Sequence, residues 1–278
     1  MLEKIVKWGK KEDAIRALIL LGSRAGRQPV DEFSDYDLSV FCNIDESYTG
    51  SESWLTQFGN VWVCVKEKIF CKGKIFPSRL VIFEGGIKVD FSFLSLDVLD
   101  EIAQSSALPD DYNLGYKILL DKNDRAARML PPQFEVKAIK PSEQEFHEVV
   151  KEFWFEIYHV GVYLKRRDLW SVKFRSWAAH SFLLRMIEWH AQAENDWCSS
   201  TPPIGKKMSS WVNKDLRKDL HGIFAHFDAE DGWKALFNTM ELFRRITAET
   251  ARALRFSGME DLGEKMMRFI ITLGSSHL

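Results

Sequence analysis

The chain has 278 residues, of which 46% are hydrophobic and 28% are charged, so it can bury one large core or two medium ones and is neither disordered nor fibrous. Its formal net charge is −2, with 17 basic and 20 acidic residues before Pro131 and 21 and 20 from it onward, so neither half is basic. We therefore expect no nucleic-acid partner. Four scattered cysteines and the lack of a long apolar run predict a reduced, cytoplasmic protein without a membrane partner.

The first 130 residues alternate between helix-like and strand-like patterns. A helix is predicted over 3–14, and an all-apolar strand follows over 17–21. Gly85 and Gly86 can both adopt positive φ, so they indicate a hairpin turn. Further strands are predicted over 37–43, 61–66, 79–83 and 88–94, and a short helix over 96–103. Hairpin-linked strands with few helices favour a mixed or antiparallel sheet over a doubly wound one.

The Pro131-Pro132 pair marks a linker to a second region that is helical almost throughout. Ser142 followed by Glu145 has the spacing of a capping box. Helices are predicted over 142–166, 169–194, 206–227 in one or two pieces, 232–255 and 260–272. Seven of the ten tryptophans lie here, and we interpret them as core residues of a helix bundle. The predicted fold class is α+β, with a mixed-sheet domain over 1–132 and an all-α domain over 133–278.

Three aspartates carry the strongest chemical signal. Asp35 and Asp37 stand two residues apart where a strand begins, so their side chains leave the same face. Asp90 interrupts the apolar alternation of another predicted strand, where an unpaired charge is unfavourable. Carboxylates forced together repel one another unless a cation lies between them, and oxygen-only ligands suit Mg²⁺. If the two strands pair, the three aspartates form a magnesium site.

Upstream of these aspartates, Gly22 and Ser23 end the first buried strand and are followed by Arg24. Glycine lets the backbone approach a phosphate, the serine hydroxyl and amide donate hydrogen bonds, and arginine suits bidentate phosphate contact. A lone Gly-Ser turn or Asp-x-Asp pair is more often structural. The ordered set of Gly-Ser, then Asp-x-Asp opening a strand, then a mid-strand Asp90 predicts a nucleotide triphosphate bound through Mg²⁺.

The arrangement of Gly22-Ser23, Asp35-Tyr36-Asp37 and Asp90 resembles the polymerase-β-like nucleotidyltransferases. Within that superfamily the sequence is most similar to the aminoglycoside (streptomycin) 6-adenylyltransferases. The stretches that carry this resemblance are Asp31 to Asp37, Arg79 to Phe83 with Lys88 to Asp90, Leu119 to Lys122, Glu152 to Trp154 and Met186 to Trp189. The resemblance extends over nearly the whole chain.

The resemblance implies an N-terminal polymerase-β-like nucleotidyltransferase domain and a C-terminal helical acceptor-binding domain. It implies transfer of AMP from ATP to a hydroxyl of streptomycin or a relative, with one or two Mg²⁺ ions. In that reaction Asp35 and Asp37 hold the metal, and Asp90 is either a third ligand or the general base. In this family an acidic residue is common soon after the Leu169-Trp170 pair, but this chain has Lys173 there. A lysine facing the acceptor would repel a guanidinium group, so the departure bears on which acceptor is used.

Acidic residues of the helical half are also consistent with a cationic acceptor. Glu152 and Glu156 belong to a run of glutamates at helical spacing, and Glu188 lies inside an apolar helical segment. The glutamate run is interpreted first as a solvated face, and the alternative is that Glu152 and Glu156 contact a polycation. Glu188 needs either a structural partner or a ligand, because a carboxylate in an apolar segment is unfavourable alone.

Two other functions stay open at this point. The same transfer could serve another acceptor, such as a lincosamide, a different aminoglycoside, another small molecule or a protein side chain. A non-catalytic regulatory protein could keep the nucleotide site, although adjacent like charges disfavour a purely structural role. The expected oligomeric state is a monomer or a weak homodimer.

Overall fold

The computed structural model describes residues 1–27, 29–43, 48 and 50–275, which divide into two compact units, Met1–Val136 and Lys137–Leu278. The first unit combines a sheet with helices. Its elements in chain order are α1 (Leu2–Lys11), β1 (Ile15–Leu21), β2 (Tyr36–Cys42), β3 (Val61–Cys71), β4 (Lys74–Phe83), β5 (Ile87–Leu94), α2 (Leu96–Gln104), α3 (Asp110–Asn113) and β6 (Lys117–Asp121).

The strands described in the first unit form one six-stranded sheet in the order β3-β4-β5-β2-β1-β6. Strands β2 and β5 run parallel, and the other neighbouring strands run antiparallel. The parallel register places Tyr36 beside Val89 and Asp37 beside Asp90. Because both strands begin at the same edge of the sheet, the polar residues at their starts lie side by side.

Helices cover both faces of this sheet, which explains why the central strands are apolar almost throughout. On one face, Ile5 and Trp8 of α1 join a buried cluster with Val40 of β2. On the other face, Phe41 packs with Ile102 of α2. Neighbouring residues of a strand point to opposite faces, so Val40 and Phe41 belong to different cores. The sheet that contains the starts of β2 and β5 is thus packed against buried side chains on both faces.

The second unit is all-helical. Its helices are α4 (Glu143–Arg166), α5 (Leu169–Glu194), α6 (Met208–Trp211), α7 (Lys214–Asp219), α8 (Ala229–Leu254) and α9 (Glu260–Gly274). Helices α4 and α5 are antiparallel, because Phe146 contacts Trp189 at one end and Glu156 contacts Arg175 nearer the other. Phe153 of α4 stacks on Phe243 of α8 and ties a third helix to this pair. Within the described ranges, no helix is both long and apolar enough to span a bilayer.

The α+β fold class is confirmed, and so is the capping box that opens α4 at Ser142. Strands β3 and β4 are longer than predicted and meet in a second hairpin turn at Lys72 and Gly73, both with positive φ. Strand β6 was not predicted, because its five residues gain strand character by pairing with β1. The stretch predicted to be helical over 206–227 in one or two pieces does contain two α-helices, α6 and α7, but they are shorter than predicted and are separated and followed by turns.

The seven tryptophans of the helical unit differ in burial, which corrects the interpretation that all of them are core residues, and Trp197 and Trp211 are partly buried against the core. Trp154, Trp189 and Trp233 are buried, as expected for a helix bundle. Trp170 and Trp177 on α5 are instead 79% and 74% exposed. The local sequence of α5 does not distinguish its buried tryptophan from its exposed ones, because the amphipathic pattern of this helix is weak along its length.

A cavity of about 120 Å³ lies in the second unit and is lined by residues of α4, α5 and α8. Lys173 and His180 of α5 both line it. The Lys173 ammonium donates a hydrogen bond to the Ala225 carbonyl, and burial lowers the pKa of Lys173. The His180 ring packs against Phe224 at 4.7 Å between ring centroids, and burial lowers the pKa of His180 to about 4. Both basic side chains therefore contact the same segment of the second unit, Lys173 at Ala225 and His180 at Phe224.

We expect the unfolding free energy of the second unit to fall as pH decreases from about 6.5 to about 4. The pKa of His180 is near 4 when folded and near its ordinary value of 6.5 when unfolded, so the unfolded state binds more protons in that interval. The full loss is about 3 kcal/mol. Urea unfolding of wild type and His180→Gln at several pH values measures it, with the exposed His221→Gln as control. An equal pH slope in wild type and His180→Gln would contradict the assignment.

Candidate active site

Three carboxylates meet at the edge of the sheet where β2 and β5 begin. Asp37 and Asp90 are directly paired across the parallel strands, and Asp35 precedes β2 by one residue. Ligand oxygens of all three lie within 4.8 Å of one another, and all three side chains are half-buried. In the part of the chain that the structure describes, this is the one group of three or more metal-ligating side chains. The structure thus brings together the three aspartates predicted from the sequence.

Lys88 lies among these carboxylates. Its ammonium donates hydrogen bonds to Asp90 Oδ2 at 2.6 Å and to Asp35 Oδ2 at 3.0 Å. Burial opposes the positive charge, but the hydrogen bonds to Asp90 and Asp35 outweigh it, so the pKa of Lys88 is raised. Lys88 lies in a strand predicted from the sequence, but no role at the site was predicted for it. The two-residue spacing of Lys88 and Asp90 in a predicted strand was the signal that could have identified it, because such residues share a face.

The side chain of Asp90 is more enclosed than that of Asp35, at 19% against 37% exposed. Burial raises the pKa of its carboxyl, the negative charges of Asp35 and Glu67 add to that increase, and Lys88 opposes it. Its second oxygen, Oδ1, is buried and has no hydrogen-bond partner among the described residues. A buried oxygen without a partner is unfavourable, and a hard cation would satisfy it. The carboxylate set therefore fits Mg²⁺ or a similar ion.

Gly22 forms the wall of the cluster beside Asp37. It follows β1 directly, has φ of +68°, and stands next to the position where Leu21 pairs with Asp37. A Cβ atom at residue 22 would overlap the Oδ2 atom of Asp37. Both the backbone angle and the missing side chain are therefore required for Asp37 to occupy its place.

The turn that follows Gly22 is tight and is supported by residues near β6. The amides of Ala25 and Gly26 both donate to the Gly22 carbonyl, at 3.1 and 3.0 Å, and Ser23 is half-buried within this turn. Lys117 donates to the Arg24 carbonyl at 2.8 Å. Sequence analysis did not identify Lys117, because its contact depends on the unpredicted β6. The predicted role of Ser23 as a phosphate donor stays a prediction.

Arg24 connects this turn to the loop that carries Asp35. Its Nε donates to the Ser34 carbonyl at 2.9 Å, and its Nη2 donates to the Asp31 carbonyl at 3.4 Å. The guanidinium also lies over the Tyr36 ring, 4.1 Å from the centroid. Arg24 therefore holds the loop before β2 in place, and the predicted phosphate contact of Arg24 stays a prediction.

The three acidic residues predicted to bind the acceptor have different surroundings in the second unit. Glu152 is exposed. Glu156 is only 7% exposed, and both of its oxygens accept hydrogen bonds from Arg175, at 3.0 and 3.2 Å. Glu188 is 8% exposed and forms an ion pair with Arg185 at 3.2 Å, while burial raises its pKa. Both buried carboxylates thus have a structural partner.

The structure places Glu152 and Glu156 one turn apart on α4 but does not bring Glu188 to them. On α5, Arg175 is the residue that contacts Glu156, and Glu188 lies 13 positions further along the same helix. At 1.5 Å per residue this separation is about 20 Å. Glu188 therefore lies apart from the contact between Glu156 and Arg175, and its predicted role in acceptor binding stays a prediction.

We expect Arg175→Met to destabilise the protein by about 3 kcal/mol, because it leaves the buried Glu156 carboxylate without its counter-ion. The double variant Arg175→Met, Glu156→Gln should recover most of that loss. Urea unfolding followed by tryptophan fluorescence measures both effects. Full stability of the single variant would show that Glu156 does not need Arg175 and is available to a ligand.

Sequences of known proteins match this chain over most of its length. The sequence model of the family described as Streptomycin adenylyltransferase matches residues 1–273. The chain is 26% identical over 261 residues to the aminoglycoside 6-adenylyltransferase of Campylobacter jejuni, covering 91% of this chain and 87% of that one. It is 26% identical over 269 residues to the aminoglycoside 6-adenylyltransferase of Bacillus subtilis (strain 168), covering 92% and 90%. The similarity extends through both units.

The chain also resembles solved structures, and one of these matches it over nearly its full length. It is the crystal structure of an aminoglycoside 6-adenyltransferase from Bacillus subtilis. The match has a TM-score of 0.48 and 23% sequence identity, and it covers 98% of this chain and 97% of that chain.

Proposed function

Since the chain belongs to the streptomycin adenylyltransferase family and is thus a nucleotidyltransferase, we propose that it transfers AMP from ATP to a hydroxyl of an aminoglycoside such as streptomycin. The cluster of Asp35, Asp37 and Asp90 beside Gly22 is the observation that supports this reaction most directly. Such a modification would inactivate the antibiotic. The proposal includes Mg²⁺ at the carboxylate cluster and ATP as the AMP donor.

The three aspartates would hold one or two Mg²⁺ ions, which supply positive charge to the phosphate oxygens when they are bound. The acceptor hydroxyl oxygen attacks the α-phosphorus of ATP, a new O–P bond forms, and the bond to the β-phosphate oxygen breaks as pyrophosphate leaves. The hydroxyl proton goes to a base. Asp90, with its raised pKa, is suited to that role, and its buried Oδ1 is equally suited to bind metal.

The turn after β1 supports the proposed triphosphate site. Gly22 lets the turn lie directly against the Asp37 carboxylate, and Ser23 next to it offers a hydroxyl and an amide to a phosphate. Arg24 brings positive charge to the same turn while it holds the loop before Asp35. Most of the catalytic effect would come from positioning and from charge stabilisation, as in other phosphoryl transfers.

A cationic acceptor is supported by the exposed Glu152 on α4, with Glu156 one turn away. Glu152 is the first candidate for contact, because the carboxylates of Glu156 and Glu188 already have arginine partners. Glu156 and Glu188 are then secondary acceptor residues, and each would have to exchange its arginine for the ligand. Lys173 donates to the Ala225 carbonyl, and a guanidinium group placed next to it would still be repelled.

The test is to incubate the purified full chain with Mg·ATP and a panel of acceptors that includes streptomycin, other aminoglycosides and a lincosamide. Pyrophosphate release and product mass are measured for each acceptor. A mass gain of one AMP on streptomycin confirms the donor, the reaction and the acceptor. AMP transfer to a different compound of the panel, and not to streptomycin, overturns only the proposed identity of the acceptor. ATP binding without transfer to any acceptor overturns the proposed enzymatic reaction.

A further inference from the structure

Lys88 occupies the place among the carboxylates where a cation is needed. Asp35 precedes Tyr36, and Lys88 precedes Val89, so the pairing of Tyr36 with Val89 also sets Asp35 beside Lys88. Asp37 and Asp90 stand beside one another two residues further along the same face. Lys88 is thus one corner of a four-residue cluster whose other corners are carboxylates.

The Lys88 ammonium and a divalent cation compete for the same oxygens. The ammonium already engages Asp35 Oδ2 and Asp90 Oδ2, at 3.0 and 2.6 Å. A magnesium ion binds carboxylate oxygens at about 2.0–2.1 Å, and two positive charges a few ångströms apart repel one another strongly in a half-buried site. A metal ion that uses Asp35 and Asp90 together therefore has to move this ammonium away.

The lysine satisfies the cluster only in part. Lys88 holds Oδ2 of Asp90, but the buried Oδ1 of the same carboxylate has no hydrogen-bond partner among the described residues. Lys74 provides a useful contrast on the surface of the same unit. Its ammonium also bridges two carboxylates, those of Asp97 and Glu101, but both are well exposed and form no three-carboxylate cluster in the described part of the chain. Lys88 thus differs from Lys74, because its two carboxylate partners belong to a half-buried group of three.

We propose that Lys88 is a displaceable counter-ion of the metal site, which holds Asp35 and Asp90 together in the metal-free enzyme and competes with the divalent cation for them. This inference rests on the proposed function, because it assumes a metal site at the cluster. Its consequence is that the free enzyme binds metal weakly and takes it up together with ATP, whose phosphates receive the displaced ammonium. Lys88 would then link metal entry to nucleotide entry.

The test measures Mn²⁺ binding to the full chain without nucleotide, by electron paramagnetic resonance of the free ion. Lys88→Met is expected to bind Mn²⁺ at least tenfold more tightly than wild type, which corresponds to about 1.4 kcal/mol. Lys88→Arg keeps the positive charge and can donate two hydrogen bonds to a carboxylate. Its Mn²⁺ affinity should therefore equal that of wild type or be weaker. Lys74→Met is the matched control and should not change the affinity.

Thermal unfolding gives a second readout that does not depend on activity. Without metal, Lys88→Met removes the counter-ion of Asp35 and Asp90, so saturating Mn²⁺ should raise its Tm more than it raises that of wild type. If Lys88→Met does not fold without metal, Lys88→Arg still tests the proposal, and tighter Mn²⁺ binding by that variant would overturn it. Unchanged or weaker Mn²⁺ binding by folded Lys88→Met would also overturn it.

The variant Asp35→Asn separates failure of this inference from failure of the proposed function. If wild type binds Mn²⁺ and Asp35→Asn does not, the carboxylate cluster is a metal site, and an unaltered affinity in Lys88→Met then removes only the role of Lys88. If Asp35→Asn binds Mn²⁺ as well as wild type does, the cluster is not the metal site. In that case the proposed function loses its main support as well.

Discussion

Replacing Asp37 with asparagine is expected to lower the rate of AMP transfer by at least about a thousandfold while the protein stays folded. Asp37 lies at the centre of the site, because it is paired with Asp90 across the sheet and adjoins Gly22 at the turn. Asparagine keeps the size of the side chain but removes the negative charge that the proposed Mg²⁺ requires. The unfolding free energy should change by less than about 1 kcal/mol, since asparagine fills the same half-buried space.

The measurement for Asp37→Asn is the initial rate of pyrophosphate release with Mg·ATP and the preferred acceptor, together with urea unfolding of the same sample. Asp97→Asn is the matched control, because Asp97 lies in the same unit but pairs with Lys74 at the surface. We expect the control to keep its activity within about twofold. Near-normal turnover by Asp37→Asn would exclude the carboxylate cluster as the catalytic site.

Replacing Gly22 with alanine is expected to reduce activity by about a hundredfold or more and to destabilise the protein by roughly 2–4 kcal/mol. Two effects combine at this position. The backbone φ of +68° is unfavourable for a residue with a side chain, and the new Cβ atom would overlap Asp37 Oδ2. Relief of that overlap has to move the Asp37 carboxylate, so the activity falls along with the stability.

Gly73→Ala separates these two effects. Gly73 has a similar φ of +76°, but a Cβ atom there would have nothing within 4 Å. This control should lose only about 1–2 kcal/mol of unfolding free energy and keep its activity. Urea unfolding and turnover of both variants are compared under the same conditions. An equal loss of turnover in Gly22→Ala and Gly73→Ala would mean that the contact between Gly22 and Asp37 has no role in catalysis.

Much of the fold could be predicted because its signals are local. The apolar alternation of β5 and the capping box at Ser142 each lie within one element and were found where the sequence placed them. The turn at Lys72 and Gly73 and the strand β6 were missed. Both depend on partners, since β3 and β4 extend together past 66 and β6 forms only beside β1. Pairing with another strand contributes hydrogen bonds that no single segment shows.

The candidate site divides in the same way. The two-residue spacing of Asp35 and Asp37 places both carboxylates on one face, and the glycine after a buried strand is visible in the sequence. The contact of Lys88 with Asp35 joins residues 53 positions apart, and the overlap that makes Gly22 necessary involves Asp37 on a different strand. Those contacts follow from the parallel register of β2 and β5 and from the pairing of β1 with β2.

The sequence by itself determined the fold class, the resemblance to a family and the identity of the three aspartates, because periodicity and short motifs act within a few residues. Tertiary structure alone decided that Lys88 shares the carboxylate site, that Arg24 holds the loop before Asp35, and that Glu156 has Arg175 as its partner. Long-range pairing and burial decide which charged groups meet. A charged residue has the same appearance in the sequence whether it is solvated, paired or poised to bind a ligand.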